Sequence, residues 1–85
     1  MEQDVQFQDT VKKQMRNVEF VKVQIDEIYK NGQFYSLSLH TLELTRRFNE
    51  KYQKFSEEPQ EENFRELLIL TERLEEKLYT SELLN

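Results

Sequence analysis

Apolar residues recur at steps of three and four along most of the chain, the spacing of one face of an α-helix. The first stripe of this kind consists of Val11, Met15, Val18, Val21, Ile25 and Ile28. It stops before Asn31 and Gly32, residue types that accept the left-handed conformation common at helix C-termini. The pattern therefore predicts a first helix over about residues 4–30.

A second stripe follows after a short connection. It consists of Leu37, Thr41, Leu44, Phe48, Tyr52 and Phe55. The segment Ser36-Leu37-Ser38-Leu39 alternates as a strand does, but the helical stripe runs through it and is much longer. We therefore predict a second helix over about residues 35–55, beginning between Gln33 and Ser36.

A third stripe follows the single proline. It consists of Phe64, Leu67, Thr71, Leu74 and Leu78. Ser56 or Glu58 is suited to a position near the N-cap, and Pro59 is tolerated in a first helical turn. The pattern predicts a third helix over about residues 60–80, and residues 79–85 are expected to fray.

Three amphipathic helices joined by short connections predict an all-α fold, an antiparallel three-helix bundle that forms one domain over residues 1–85. One Gly and one Pro in 85 residues cannot supply the turns of an all-β fold. Residues 32–56 carry four basic and two acidic residues, whereas residues 57–85 carry three basic and nine acidic residues. This difference favours lateral pairing of the second and third helices.

Composition excludes several classes of function. The chain has no Cys, so thiolate zinc sites and disulfides are excluded, and it has no Gly-rich phosphate loop. A net charge of −5 argues against nucleic acid as a partner. The longest apolar run, Leu67 to Leu70, is too short for membrane insertion, and the polar N-terminus predicts a cytoplasmic protein. With His40 as the single histidine, we expect no enzyme activity, no cofactor and no metal site.

The informative feature is a surplus of apolar positions. Phe20 and Val23 lie roughly opposite the first stripe, and Ile69 points away from the third. A second ridge with helical spacing is formed by Tyr35, Leu39 and Leu42. Surplus apolar surface is typical of a groove for an amphipathic helix of a partner protein, although a homodimer interface or additional core are alternatives.

The predicted groove lies between the second and third helices. Its partner-binding residues are Tyr35, Leu39, Leu42, Arg46 and Ile69. Arg46 is expected to fix the register of the partner, because a guanidinium binds a carboxylate through two hydrogen bonds. The alternative is that Arg46 and the adjacent Arg47 pair with acidic residues of the third helix.

A family resemblance sharpens this expectation. The turn Asn31-Gly32-Gln33-Phe34, the segment Leu42-Glu43-Leu44-Thr45-Arg46-Arg47, the break Glu57-Glu58-Pro59 and the acidic helix from Phe64 onward occur in this order. From Lys30 to Tyr79 the chain resembles flagellar export chaperones of the FliT type. The resemblance implies a cytosolic chaperone that holds a C-terminal helix of the filament-cap protein and contacts the export ATPase. The family's groove-covering last helix would correspond at most to Tyr79–Asn85.

A second resemblance competes. The segment Leu44 to Gln53 is similar to the core of small sporulation aspartyl-phosphate phosphatases, which carry a Ser-Gln-Glu-Leu-Asp motif on the second helix of a hairpin. Here Thr45 replaces the Ser, Arg47 the Glu and Asn49 the Asp. The motif's two carboxylates are lost. The alternative function that this resemblance implies is a sporulation-type aspartyl-phosphate phosphatase or another regulator that acts on a response-regulator partner.

Overall fold

The computed structural model describes residues 2–78, and the side chains of residues 8–78. It contains helix α1 (Glu2–Lys30), a 3-10 turn (Gln33–Ser36), helix α2 (Leu39–Glu57) and helix α3 (Glu61–Lys77). The predicted all-α three-helix bundle is confirmed. The predicted continuation of the third helix to residue 80, and the expectations for residues 79–85, lie outside the described residues.

Cross-helix contacts establish that α1 and α2 are antiparallel. Glu19 on α1 contacts Tyr52 on α2, with 2.7 Å between the carboxylate and the hydroxyl oxygens. Later in α1, Tyr29 contacts Thr45, which lies earlier in α2, at the same oxygen–oxygen distance of 2.7 Å. Residue numbers therefore rise along one helix as they fall along the other.

Helices α2 and α3 form the closest pair of the bundle, and α1 packs mainly against α3. The ring centroids of Phe55 and Phe64 are 5.1 Å apart at the connection. Lys51 and Glu66 pair further from it, about one turn along α2 and about half a turn along α3. Numbers again rise on one helix as they fall on the other, so α3 is antiparallel to α2 and runs in the direction of α1.

The core lies along the line where the three predicted stripes meet. Its apolar members are Val18, Val21, Ile25, Ile28, Leu37, Leu44, Phe48, Phe55, Phe64, Leu67, Leu74 and Leu78. Thr41 and Thr71, which the stripes also contain, are buried as predicted. None of the helices within residues 2–78 combines the length and the apolar content needed to cross a lipid bilayer.

The connection between α1 and α2 differs from the prediction. Gly32 adopts the left-handed conformation, with φ of 72°, and ends α1 as expected. The second helix begins at Leu39, however, so the predicted start between Gln33 and Ser36 is wrong. Leu37 is extended and buried, and Ser38 caps α2 by accepting a hydrogen bond from the backbone N–H of Thr41 at 3.2 Å.

The connection between α2 and α3 also corrects an expectation. Ser56 lies inside α2, where its hydroxyl donates to the carbonyl oxygen of Tyr52 at 2.9 Å, and the N-cap of α3 is Gln60. Pro59 therefore precedes the N-cap rather than occupying the first turn. The buried side chain of Asn63 stabilises this connection by donating to the carbonyl oxygen of Glu58 at 2.9 Å.

Candidate functional site

An open groove with a volume of about 490 Å³ runs between α2 and α3. Its apolar surface is formed by Leu44 on α2 and by Ile69 and Leu70 on α3. Leu44 and Leu70 belong to the core or pack against it, whereas Ile69 is 48% exposed. The charged side chains along the α2–α3 groove are Arg47, Glu50, Lys51, Glu66 and Arg73.

The phases of the two helices explain this arrangement. Leu67 and Leu74 point into the core, and Ile69 is two residues from Leu67, a rotation of about 200° around the helix axis. Leu70 lies between these directions and is partly buried. The surface of α3 therefore presents an apolar edge beside α2. No α1 residue with a described side chain lines this edge.

One cross-helix ion pair lies in the groove. The ammonium of Lys51 on α2 contacts the Oε2 carboxylate oxygen of Glu66 on α3. This hydrogen bond, together with the positive charges of Lys51 and Lys54, holds the pKa of Glu66 below its ordinary value. The basic second helix and the acidic third helix are thus linked as their charges predicted, through Lys51 rather than through an arginine.

The two adjacent arginines pair within their own helix. The Arg46 guanidinium lies 2.6 Å from Glu43 and 2.5 Å from Glu50, and Arg47 contacts Glu43 at 3.3 Å. The hydrogen bond from Arg46, with help from Arg47, lowers the pKa of Glu43. The expectation that these arginines pair with acids of the third helix is therefore wrong, because acids at i−3, i−4 and i+4 are nearer.

The cations of the groove differ in how fully they are engaged. Arg47 has one long contact, to Glu43. Arg73 lines the groove from α3 and has no ion pair or hydrogen bond within the described part of the chain. Two guanidinium groups, one on each helix, are thus available for carboxylates of a bound molecule.

The five predicted partner-binding residues do not all meet at this groove. Ile69 lines it, while Tyr35, Leu39, Leu42 and Arg46 are not among its lining residues. Tyr35 lies in the 3-10 turn, so it does not continue a ridge of α2. Tyr35 and Leu39 are each 85% exposed, and Leu42 packs against the core.

An aromatic cluster that includes Tyr35 lies at the α1–α2 connection. The ring centroids of Phe34 and Tyr35 are 4.2 Å apart, and those of Tyr29 and Phe34 are 5.4 Å apart. The Tyr29 hydroxyl is directed to Thr45 in the bundle. Through these contacts the 3-10 turn packs against the bundle, and Tyr35 is the outermost ring of the cluster.

Sequence reasoning missed most of the groove. The helical spacing places Leu44 in the core, but it assigns none of Leu70, Arg47 and Arg73 to the predicted groove. A signal was present: Ile69 is followed four residues later by Arg73, so both lie on one helix face. Which residues of α2 lie beside that face depends on how the two helices are rotated against each other. The spacing of residues within one helix does not give this rotation.

The residues compared with the phosphatase motif are held in different environments. Thr45 is fully buried, and its hydroxyl donates to the carbonyl oxygen of Leu42 at 2.7 Å. Arg47 is exposed, and Asn49 accepts a hydrogen bond from Lys22 at 3.2 Å. His40 is exposed in the first turn of α2. Among the residues with described side chains, no three His, Cys, Asp or Glu side chains converge to hold a metal ion.

Comparison with known proteins gives no family assignment. No family model, no curated protein and no solved structure matches the chain.

Proposed function

We propose that the chain is a protein-binding module that holds an amphipathic helix of another protein in the α2–α3 groove. The observation that carries this proposal is the half-exposed Ile69 beside Leu44 and Leu70, in a groove bordered by charged side chains. An amphipathic helix laid between two antiparallel helices covers such an apolar strip with its own apolar face.

The charges of the groove indicate the kind of helix it accepts. Glu50 is engaged by Arg46, and Glu66 is engaged by Lys51, so the groove's two carboxylates are already paired. Arg47 and Arg73 retain hydrogen-bonding capacity on opposite sides. The favoured occupant therefore has apolar residues on one face and Asp or Glu on its flanks.

A second copy of the chain fits this site poorly. Arg65 and Arg73 lie four residues on either side of Ile69, and Glu66 and Glu72 lie three residues on either side. If two copies of α3 packed antiparallel about Ile69, like charges would face each other at both spacings, which disfavours the pair. The occupant is therefore assigned to a different protein.

Within this proposal, the resemblance to FliT-type export chaperones suggests the biological role. Such a chaperone covers an aggregation-prone helix of a secreted protein until export. Burial of the partner's apolar face in the α2–α3 groove supplies the physical basis for that protection. The expected partner is then a flagellar or other secreted protein with an exposed amphipathic helix.

Binding can be tested with a synthetic probe because the chain contains three isoleucines. Ile25 and Ile28 are buried on α1, and Ile69 lies in the groove. We expect an amphipathic peptide of about 18 residues with Leu at helical spacing and Glu on its flanks to shift the Ile69 methyl signal in NMR spectra. The signals of Ile25 and Ile28 should stay nearly constant.

Two control peptides make the result specific. A scrambled peptide of the same composition should not shift the Ile69 signal, and a peptide with Lys flanks should bind at least about tenfold more weakly than the Glu-flanked one. Equal binding of all three peptides, or no response at Ile69, would contradict the proposed groove.

The export role needs a separate test in cells. A photo-crosslinking amino acid at position 69 should capture the bound protein, while the same group at the exposed position 62 on α3 serves as the control. Capture of a secreted or flagellar protein at position 69 supports a chaperone. Capture of a protein that is not exported would retain the binding module and reject the export role.

A further inference from the structure

A second surface lies on the solvent-exposed side of α1. It consists of residues spaced alternately three and four apart, the heptad spacing of helices that pair along a seam. We call it the outer stripe of α1, and its members are Lys13, Arg16, Phe20, Val23, Glu27 and Lys30. All six are exposed, including Phe20 at 51% and Val23 at 55%.

Charge is distributed unevenly along the outer stripe. Lys13 and Arg16 precede its apolar centre, and Glu27 follows it. Within the described residues, the side chains of these three make no ion pair. The neighbouring acids Glu19 and Asp26 are engaged inside the protomer, by Tyr52 at 2.7 Å and by Lys22 at 3.0 Å respectively.

We propose that the outer stripe of α1 binds a second copy of the chain, with the two α1 helices antiparallel about a two-fold axis between Phe20 and Val23. In that register Phe20 of each copy lies opposite Val23 of the other, and Arg16 lies opposite Glu27. The two-fold axis repeats each contact, so the dimer gains two apolar contacts and two ion pairs. A parallel arrangement would instead place like charges side by side.

The apolar contact is the main source of affinity and the ion pairs set the register. Exposed ion pairs contribute little individually, and at the outer ends Lys13 lies opposite Lys30, where water screens their repulsion. The interface is small, so the association is expected to be weak and to depend on protein concentration. This proposal is independent of the α2–α3 groove, because no α1 residue with a described side chain lines that groove.

Sedimentation equilibrium over a wide concentration range tests the dimer. The unchanged chain should shift from one to two copies of 10.5 kDa as its concentration rises. Val23→Asp should weaken self-association at least about tenfold, since the substitution places a charge in both symmetric contacts. Ile69→Asp, a matched change at an apolar position of similar exposure on α3, should leave self-association unchanged.

A charge exchange tests the register without altering the apolar centre. Arg16→Glu and Glu27→Arg should each weaken self-association, by about fivefold, because each places like charges opposite one another. A mixture of these two variants should associate as well as the unchanged chain, since both ion pairs then form, one in its original polarity and one reversed. The proposal is overturned by a chain that stays monomeric throughout, by a dimer indifferent to Val23→Asp, or by a mixture that associates no better than its components.

Discussion

Thr45 shows how a thin core accommodates polar groups. It is fully buried, and its hydroxyl has a single proton, which it donates to the carbonyl oxygen of Leu42 at 2.7 Å. The Tyr29 hydroxyl, 2.7 Å away, is therefore the donor to Thr45. With donor and acceptor both satisfied, Thr45 joins α2 to α1 without an unpaired buried polar group.

Tyr52 forms a second polar link between the same helices, and it is sensitive to pH. Its hydroxyl donates to a carboxylate oxygen of Glu19, and this bond, with partial burial and the negative charge of Glu19, raises the pKa of Tyr52 to about 12. The ordinary pKa is 10.0. A pKa raised by folding means that the contact stabilises the protein fully below pH 10 and that this stability is lost as the pH rises to 12.

Substitution of Glu19 by Gln should lower the pKa of Tyr52 toward its ordinary value of 10.0, because the amide can accept the hydrogen bond but carries no charge. Titration of the tyrosine ring signals by NMR, assigned with Tyr52→Phe, measures this pKa. Glu19→Gln should also reduce the stability lost between pH 10 and 12. Glu27→Gln, an exposed change on the same helix, is the control, and an unchanged Tyr52 curve in Glu19→Gln would refute the assignment.

At the scale of elements, the start of α2 is decided by a competition around Leu37 and Ser38. Leu37 reaches the core from an extended backbone, with ψ of 147°, although its position continues the helical stripe. Ser38 then supplies the cap, accepting from the N–H of Thr41 and donating to its side-chain oxygen at 3.0 Å. Capping and burial are both satisfied only if the helix begins after Ser38.

Ser38→Ala distinguishes the observed start of α2 from the earlier start that the stripe predicted. At an N-cap the substitution should lower the free energy of unfolding by about 1 kcal/mol, whereas inside a helix Ala would raise it. Denaturation by urea measures the difference. Ser36→Ala removes the bond from a serine hydroxyl to the carbonyl oxygen of Gln33 in the turn and is the matched control. A stabilised Ser38→Ala chain would contradict the observed helix start.

Helices α1 and α2 show how much of the fold could be predicted from the sequence. The first helix was predictable because a long uninterrupted stripe and the Asn31-Gly32 stop agree on its extent. The start of the second helix was not predictable, because Leu37 fits both the helical period and the short alternation. Periodicity shows which residues are buried, but it does not show the conformation of their backbone. Helix number and stripe composition follow from local spacing, but the boundary follows from one serine side chain.

The site was less predictable than the fold for a related reason. Assigning Tyr35, Leu39 and Leu42 to one ridge required a helix through residues 35–42, which the turn interrupts. Ile69 could be found because its exposure depends on the phase of α3 alone. The groove also needs Arg47 from α2, and its position beside α3 depends on how the two helices are rotated against each other.

At the scale of the whole molecule, the two apolar surfaces lie on different helices. The described part of the chain is 46 Å long, which matches the 29 residues of α1 at a rise of about 1.5 Å each. The outer stripe of α1 faces away from the core, and the groove is formed by α2 and α3. The stripe is complementary to itself in charge, while the surroundings of Ile69 are not, so the two surfaces suit different partners.

This separation predicts that the two binding activities can be removed one at a time. Val23→Asp should weaken self-association at least about tenfold but leave the NMR response of Ile69 to the Glu-flanked peptide. Ile69→Asp should abolish peptide binding in calorimetry but leave self-association. Both positions are about half exposed, so each variant should stay folded, with a change in unfolding free energy of about 0.5 kcal/mol. If Val23→Asp also abolished peptide binding, the stripe and the groove would belong to one interface. A substitution on α1 would then act on a site that no described α1 side chain lines.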